Sequence, residues 1–397
     1  MRMPDKPRVV FLSNIYDQHY HDVRGEKIEP CLTIACRRDM FRCLAAAASL
    51  ELVVLSSPPK ALERRSGKWL PAVETQFAGF RQLFCAIWDV PKLRIPLAWF
   101  YYARHVLRHV HDGDVVVIDN YEFLYIVAAR LLRRFRRVKF VLAYLDGKHL
   151  IDRSIWRVLS GLAEKWGRPL LNGAVLSTPP LGEHLPATLP KVVLPGPGFI
   201  LRNPDTALRQ PEGEVRFLYA GSLDATRGVD LLLAALALLP ESGWHLDLAG
   251  AGALKGQVVQ AAQDQRWREM VTFHPPMAST SAAYQQLLAS AHVGLNCQRK
   301  SDPISAVTFP TKVFAYLSAG LLVISSQASS VATVCGKGCF YYVEETPESL
   351  AAAMREVIQH YAAIRDRLDV SEACQRYSIE ASADRVRQMF QRMGVVK

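Results

Sequence analysis

At 397 residues the chain is too long for one ordinary core, and at roughly 100 to 200 residues per domain it reads as two. Half of its residues are hydrophobic and 21% are charged, which excludes a disordered chain. The net charge of +11 belongs to the first half alone: residues 1–200 hold 29 Lys and Arg against 18 Asp and Glu, whereas residues 201–397 hold 19 of each. So one-sided a field suits an anionic partner, whether phosphate groups or a membrane surface, although a solvated basic face gives the same count. Nucleic acid is disfavoured because the chain has no reader motif.

Eight cysteines, at positions 31, 36, 43, 85, 297, 335, 339 and 374, form no C-x-x-C pair and are too sparse for a disulfide scaffold. Cys335 and Cys339 have no histidine or second cysteine pair nearby in sequence, so no metal is expected. Reduced, buried thiols of a cytosolic protein are the simpler reading. The opening MRMPDKPRVVFLSN lacks the apolar core of a signal peptide. The most membrane-like run, Leu83 to Val106, is interrupted by Asp89, Lys92, Arg94 and two prolines. It should not span a bilayer, though it could lie on one.

In chain order, β-branched runs alternate with helical stretches, the signature of parallel α/β architecture. Strands are expected at Val9–Asn14, Leu52–Ser56, Val115–Asp119, Lys139–Tyr144, Ala174–Thr178 and Val192–Leu194, with helices at Leu97–Val110 and Phe123–Arg134. The second half repeats the rhythm at Val215–Ala220, His245–Ala249, Val271–His274, Val293–Cys297, Leu322–Ser325 and Phe340–Val343. Between the halves LPGPGFILRNPDTALRQPEGE has the composition of a linker, with the boundary near residues 196–212. The expected organisation is a first doubly wound domain over 1–200, a second over 201–375, and a closing helix in 376–397 that packs back on the first. Two such domains are expected to face a central cleft at the carboxyl ends of their strands.

Within the second half, FLYAGSLDATRGVDLLLAAL places Gly221 and Ser222 after a strand and Arg227 before a helix. A small-residue turn lets backbone N–H groups approach an anion, and Arg227 can fork onto phosphate oxygens. HLDLAGAGAL puts Gly250 and Gly252 at a second strand-to-helix turn, which alone is a weak signal. His274 ends the strand in VTFHPPM, near where a nucleotide base would lie, or is an ordinary loop histidine. In VTFPTKVFAYLSAG the turn Thr308, Phe309, Pro310, Thr311 and the cation Lys312 open an apolar helix.

These three elements, in this order and spacing, resemble the GT-B fold retaining glycosyltransferases known as glycosyl transferases group 1. The resemblance covers about residues 214–370 well and the first half by architecture only. It implies a glycosyltransferase that takes a sugar from a nucleotide-diphosphate-sugar donor with retention, without a metal or other cofactor. It further implies that Arg227 and Lys312 neutralise the leaving diphosphate. The family carries a Glu-x7-Glu element for sugar and ribose hydroxyls, and with Pro310 as anchor those positions are Val307 and Ala315, so both carboxylates are missing. Asp302 in the preceding loop is a substitute carboxylate or a turn residue.

In the first half, SNIYDQHYHDVRGEKIEP stands where the family has a Gly-rich turn, and Arg24 there is an acceptor contact or part of a polar lid. Asp119, Asn120 and Glu122 end one strand, and Asp146, Lys148 and His149 follow another. Asp119, Asp146 and His149 are the catalytic candidates, and Arg24, Asn120, Glu122 and Lys148 are the acceptor contacts. Some of this cluster serves equally well as helix caps. The expected acceptor is a glycan or lipid-linked molecule in envelope or exopolysaccharide assembly. The basic RLLRRFRRVKF and aromatic WFYYARHVLRHV segments suit attachment at the inner face of the cell membrane. The rival readings are a scaffold protein that has lost turnover, and a nucleotide-sugar epimerase or hydrolase of the same architecture.

Overall fold

Short runs that are hydrophobic at every position but the last, such as Val9–Ser13 (β1), Leu52–Ser56 (β2) and Val115–Asp119 (β7), are buried along their whole length. Strands covered on both faces need this composition, and they belong to parallel sheets. The structure, a computed structural model, describes residues 7–13, 34–57, 69–77, 79–88, 90, 93–147, 156–195, 210–279, 281–327 and 329–396. The chain divides into two units, Met1–Leu194 with Glu380–Lys397, and Pro195–Ile379.

The first unit adds Val73–Phe77 (β4), Phe80–Phe84 (β5), Lys139–Tyr144 (β8), Leu171–Leu176 (β9) and Lys191–Val193 (β10) to an eight-stranded sheet. Its order is β10-β9-β8-β7-β1-β2-β5-β4, parallel except where β4 runs against β5 at the edge. A separate antiparallel ribbon joins Trp69–Leu70 (β3) to Ile87–Trp88 (β6). None of β3 to β6 is expected from the sequence, because Leu83 reads there as the start of a long apolar run. β9 also begins three residues earlier than the sequence suggests and stops at Leu176, since Pro179 opens a 3-10 turn. On one face of the sheet lie Ile34–Ala48 (α1) and the closing helix Ile379–Arg392 (α13), which bury Met40, Phe41, Val386, Met389 and Phe390 against β1, β2 and β7. Each such side chain contributes about 1.5–3 kcal/mol, enough to fix the last helix to this unit.

The opposite face is covered by Arg94–His109 (α2), Phe123–Phe135 (α3) and Trp156–Gly167 (α4). The Tyr102 hydroxyl of α2 donates to the Leu55 carbonyl at 2.8 Å, and the Tyr125 hydroxyl of α3 lies 3.0 Å from that of Ser57.

The second unit is a six-stranded, wholly parallel sheet built from Val215–Ala220 (β11), Trp244–Ala249 (β12), Val271–His274 (β13), Val293–Asn296 (β14), Leu322–Ser326 (β15) and Phe340–Tyr342 (β16). Its order is β13-β12-β11-β14-β15-β16. Winding starts at β11, runs out one way through β12 and β13, then restarts on the other side at β14. Sheets of this kind bind ligands outside the carboxyl ends of the strands at that reversal. The reversal is open here: β11 pairs with β12 over six residues but with β14 only at Phe217↔Val293 and Leu218↔Gly294. Beyond Leu218 the Ala220 N–H donates instead to the Tyr316 hydroxyl, at 2.8 Å. Tyr316 belongs to Lys312–Ser318 (α9), which packs against β14 and β15.

Candidate active site

Around the carboxyl ends of β11 and β14, the sequence brings two cations together. Arg227 ends a 3-10 turn, Ala225–Arg227, that follows β11 and leads through Gly228 into Val229–Leu236 (α5). Its guanidinium donates from Nη1 to Gln298 Oε1 at 2.7 Å. Gln298 is fully buried and donates in turn from Nε2 to Ser305 Oγ at 2.7 Å. One planar group is thus held at both ends, and Arg227 is fixed in direction.

Lys312 opens α9. Its Nζ lies 3.6 Å from the centre of the Tyr219 ring and is buried with no hydrogen-bond partner among the described residues. It also lies 3.7 Å from where a Cβ on Gly221 would sit, so the ammonium borders the turn that ends β11. Burial pushes Lys312 down to about 7, and the neighbouring Arg227 charge acts in the same direction. The cation–π contact with Tyr219 offsets part of the cost of dehydrating the ammonium. Tyr219 is itself held by donating to the Ser222 carbonyl at 2.8 Å. A buried ammonium with an aromatic floor and open hydrogen-bonding capacity is suited to an anion.

The two glycine turns stack on one another. A Cβ on Gly250 would stand 1.8 Å from the Gly221 carbonyl oxygen, so only glycine fits there. Leu223 N–H donates to Ala251 O, and Asp224 Oδ1 accepts from Ala253 N–H, at 2.8 and 2.9 Å. Gly252 lies against the Leu223 backbone in the same stack. Gly250 and Gly252 therefore support the first turn from beneath, while Ser222 is exposed on it.

The remaining residues singled out in this unit divide by contact. Phe309 and Pro310 are buried, and Phe309 packs on Phe314 at 4.6 Å. The Thr308 hydroxyl donates to the Ile304 carbonyl at 2.8 Å and closes the four-residue helix Ile304–Val307 (α8). Thr311 is the residue before α9, and its side chain makes no cap hydrogen bond. His274 Nε2 lies 2.7 Å from Asp247 Oδ1 on the neighbouring strand. Burial raises the Asp247 carboxyl, but the bonds to His245 and His274 and their charge bring it below its ordinary value. Asp302 accepts from the Ile304 N–H at 2.9 Å, the turn role among its two readings. The loop 299–302 is tied down further by Glu345, which accepts from Ser301 N–H at 3.0 Å, and by the Arg299–Asp230 ion pair at 2.7 Å. Gln298 and Tyr219 are the two site residues that sequence reasoning misses.

The first unit gathers a second cluster at its own reversal, between β1 and β7. Asp119 is buried; Oδ2 accepts from Ser13 Oγ at 2.9 Å and Oδ1 from Asn120 Nδ2 at 3.1 Å. Asn120 has a left-handed backbone, φ 54°. Its Oδ1 accepts from both Leu145 N–H and Asp146 N–H, at 2.8 and 2.9 Å. Asn120 therefore pins the segment after β8 and sets where Asp146 stands. Glu122 precedes α3, where its carbonyl accepts from Tyr125 and Ile126. Arg24, Lys148 and His149 lie outside the described residues. Replacing Asn120 with alanine should strand two backbone donors and place at positive φ a residue that tolerates the left-handed backbone less well than asparagine. A loss of about 2–4 kcal/mol in urea unfolding is the expected result.

Among the described residues, no group of three or more His, Cys, Asp or Glu is placed to hold a metal ion. Residues 214–360 match the family model described as Glycosyl transferases group 1. Over nearly its full length the chain is similar to HepE of Anabaena solved with UDP and glucose, with a TM-score of 0.66 at 13% identity, covering 97% of this chain and 100% of that one. The fold is GT-B. Sucrose-phosphate synthase of Thermosynechococcus elongatus shares it, with a TM-score of 0.63 at 16% identity over 97% and 98% of the two chains. So does the catalytic domain of starch synthase IV from Arabidopsis thaliana, solved with ADP and acarbose, at 0.61 and 11% over 98% and 99%. No curated protein sequence matches the chain significantly. In this GT-B chain the family match lies wholly within the second unit and includes every residue from Gly221 to Lys312. The Asp119 cluster lies outside it.

Proposed function

We propose that the protein is a glycosyltransferase that uses a nucleotide-diphosphate-sugar donor. The observation that carries this reading is the buried, unpartnered ammonium of Lys312, set with Arg227 at the open reversal between β11 and β14. The family match over residues 214–360 and the UDP and UDP-glucose bound by the HepE neighbour support the choice of anion. As the sugar–phosphate bond breaks, negative charge grows on the leaving diphosphate. Two fixed cations in a poorly solvated site stabilise that charge more in the transition state than in the ground state.

The finer terms of the proposal are transfer with retention and no metal requirement. The acceptor is lipid-linked or a polysaccharide, used in envelope or exopolysaccharide assembly by a protein attached at the inner face of the cell membrane. Asp119, Asp146 and His149 are the proposed catalytic groups, with Arg24, Asn120, Glu122 and Lys148 toward the acceptor.

The test is calorimetric titration with nucleoside diphosphates and their sugars, followed by assays of hydrolysis and transfer. Binding with turnover supports the proposal, absence of binding by all of them overturns it, and binding without turnover leaves a scaffold. Ala315→Glu is a sharper probe. Ala315 lies three residues along α9 from Lys312, so a carboxylate there adds negative charge beside the diphosphate site. Donor affinity should fall about tenfold, a cost typical of one close like-charge contact or lost charged hydrogen bond. A rise in affinity would show instead that the pocket still reads hydroxyl groups through that position.

A further inference from the structure

The outer surface of the first unit's helix layer is aromatic and basic at once. The three helices α2, α3 and α4 cover one face of the sheet side by side, with α2 touching α3 and α3 touching α4. Their sequences hold eight Lys and Arg and a single acid, Glu164, which is paired with Arg168. This layer and the β3–β6 ribbon packed against α2 leave large apolar side chains in water: Phe100 is 62% exposed, Trp88 50% and Trp69 49%.

The aromatic rings of this surface form two rows. Trp69 and Trp88 meet edge to face across the β3–β6 ribbon at 6.5 Å, and Trp69 meets Tyr101 of α2 at 5.4 Å. Beside them Trp99 packs on Phe123, and Phe123 on Trp166, at 5.2 and 5.7 Å, with the Arg130 guanidinium 5.8 Å from the Trp166 ring. Phe123 is the first residue of α3 and follows Asp119 by four positions, so this second row lies at the end of the layer nearest the strand carboxyl ends. A core has no use for tryptophans half in water. Amphipathic rings flanked by arginines are what the headgroup layer of a bilayer selects. Among the described residues no helix is long and apolar enough to cross a membrane.

We infer that this face docks on an anionic lipid bilayer, with the Trp69–Trp88 ribbon and Phe100 entering the interface and the arginines of α2 and α3 meeting the headgroups. Charge complementarity selects the partner: an acid-poor layer gains from negative lipid and nothing from a neutral one. The inference deepens the reading above by naming the surface and the lipid, and it does not depend on the transfer chemistry.

The test is co-sedimentation of the full chain with phosphatidylcholine vesicles with and without phosphatidylglycerol. Binding is expected only with the anionic lipid, accompanied by a blue shift of tryptophan fluorescence. Trp88→Ser with Phe100→Ser should lower partitioning at least tenfold. Arg104→Gln and Arg108→Gln, both at exposed positions, should each weaken it about fivefold at low salt. Circular dichroism and nucleotide titration on the same variants should match the unmodified protein, which separates failure of the surface from failure of the donor site. Three outcomes would overturn the inference: no binding to anionic vesicles, equal binding to neutral ones, or a dimer in sedimentation velocity that the Trp88 and Phe100 changes dissociate.

Discussion

Replacing Lys312 with methionine is expected to lower kcat/KM for transfer by about 10²–10³-fold, the cost of removing one preorganised donor from a developing anion. The same change should leave the protein at least as stable as before. Methionine is similar in volume and needs no hydration, so it can lie over the Tyr219 ring without the penalty carried by a buried ammonium. Loss of function with a maintained or raised melting temperature separates a binding role from a structural one. A large fall in melting temperature would mean that Lys312 serves the fold.

The proton on Lys312 gives this prediction a second arm. Its folded pKa of about 7 lies below the ordinary lysine value of about 10.4. Between those values the unfolded chain holds the proton and the folded chain does not, so stability should rise with pH across that window. Below about 7 the cost of the buried charge is fully present. Diphosphate binding runs the other way, because the ligand favours the ammonium. Above about pH 7 binding should take up a proton, and affinity should fall as pH rises. Calorimetry in buffers of different ionisation enthalpy measures the uptake, and the methionine variant should show none from this group.

Much of the second unit is legible in the sequence because its strands are short, apolar and bounded by glycine turns. β11 and β13 fall on the expected residues, and β12, β14, β15 and β16 shift by one residue at an end. The first unit is harder to read. β4 and β5 carry consecutive polar residues, 74–76 and 81–82, with Glu74 and Arg81 paired across them, and resemble loop in a scan for buried runs. The site is legible in its cations and not in their supports. Tyr219 lies in a strand beside Phe217 and reads as core, while Gln298 has no motif at all. What joins them to Arg227 and Lys312 is contact between strand ends far apart in sequence. Asp119 shows the same limit: a carboxylate at a strand end suggests chemistry, and only the structure reveals that Ser13 and Asn120 already bond both its oxygens.

Gly228→Ala is the change expected to damage fold and site together. Gly228 has φ 71°, and a Cβ there would lie 2.0 Å from the Cys297 carbonyl oxygen. Left-handed backbone costs alanine about 1–2 kcal/mol. Separating the turn from the end of β14 adds loss of packing, so a total of about 3 kcal/mol or more is expected in denaturant unfolding. The movement has a direction that matters. Cys297 immediately precedes Gln298, and Gly228 immediately follows Arg227, so the clash drives apart the two residues whose 2.7 Å bond aims the guanidinium. Donor affinity should therefore fall in whatever fraction remains folded, beyond the loss of folded protein itself. Gly228→Asn distinguishes the causes, because asparagine tolerates the left-handed backbone better than alanine but carries the same Cβ. Equal damage from the two variants identifies the Cys297 contact as the cause. Recovery with asparagine would show that backbone strain alone is responsible and that the turn can withdraw from β14 without disturbing Arg227.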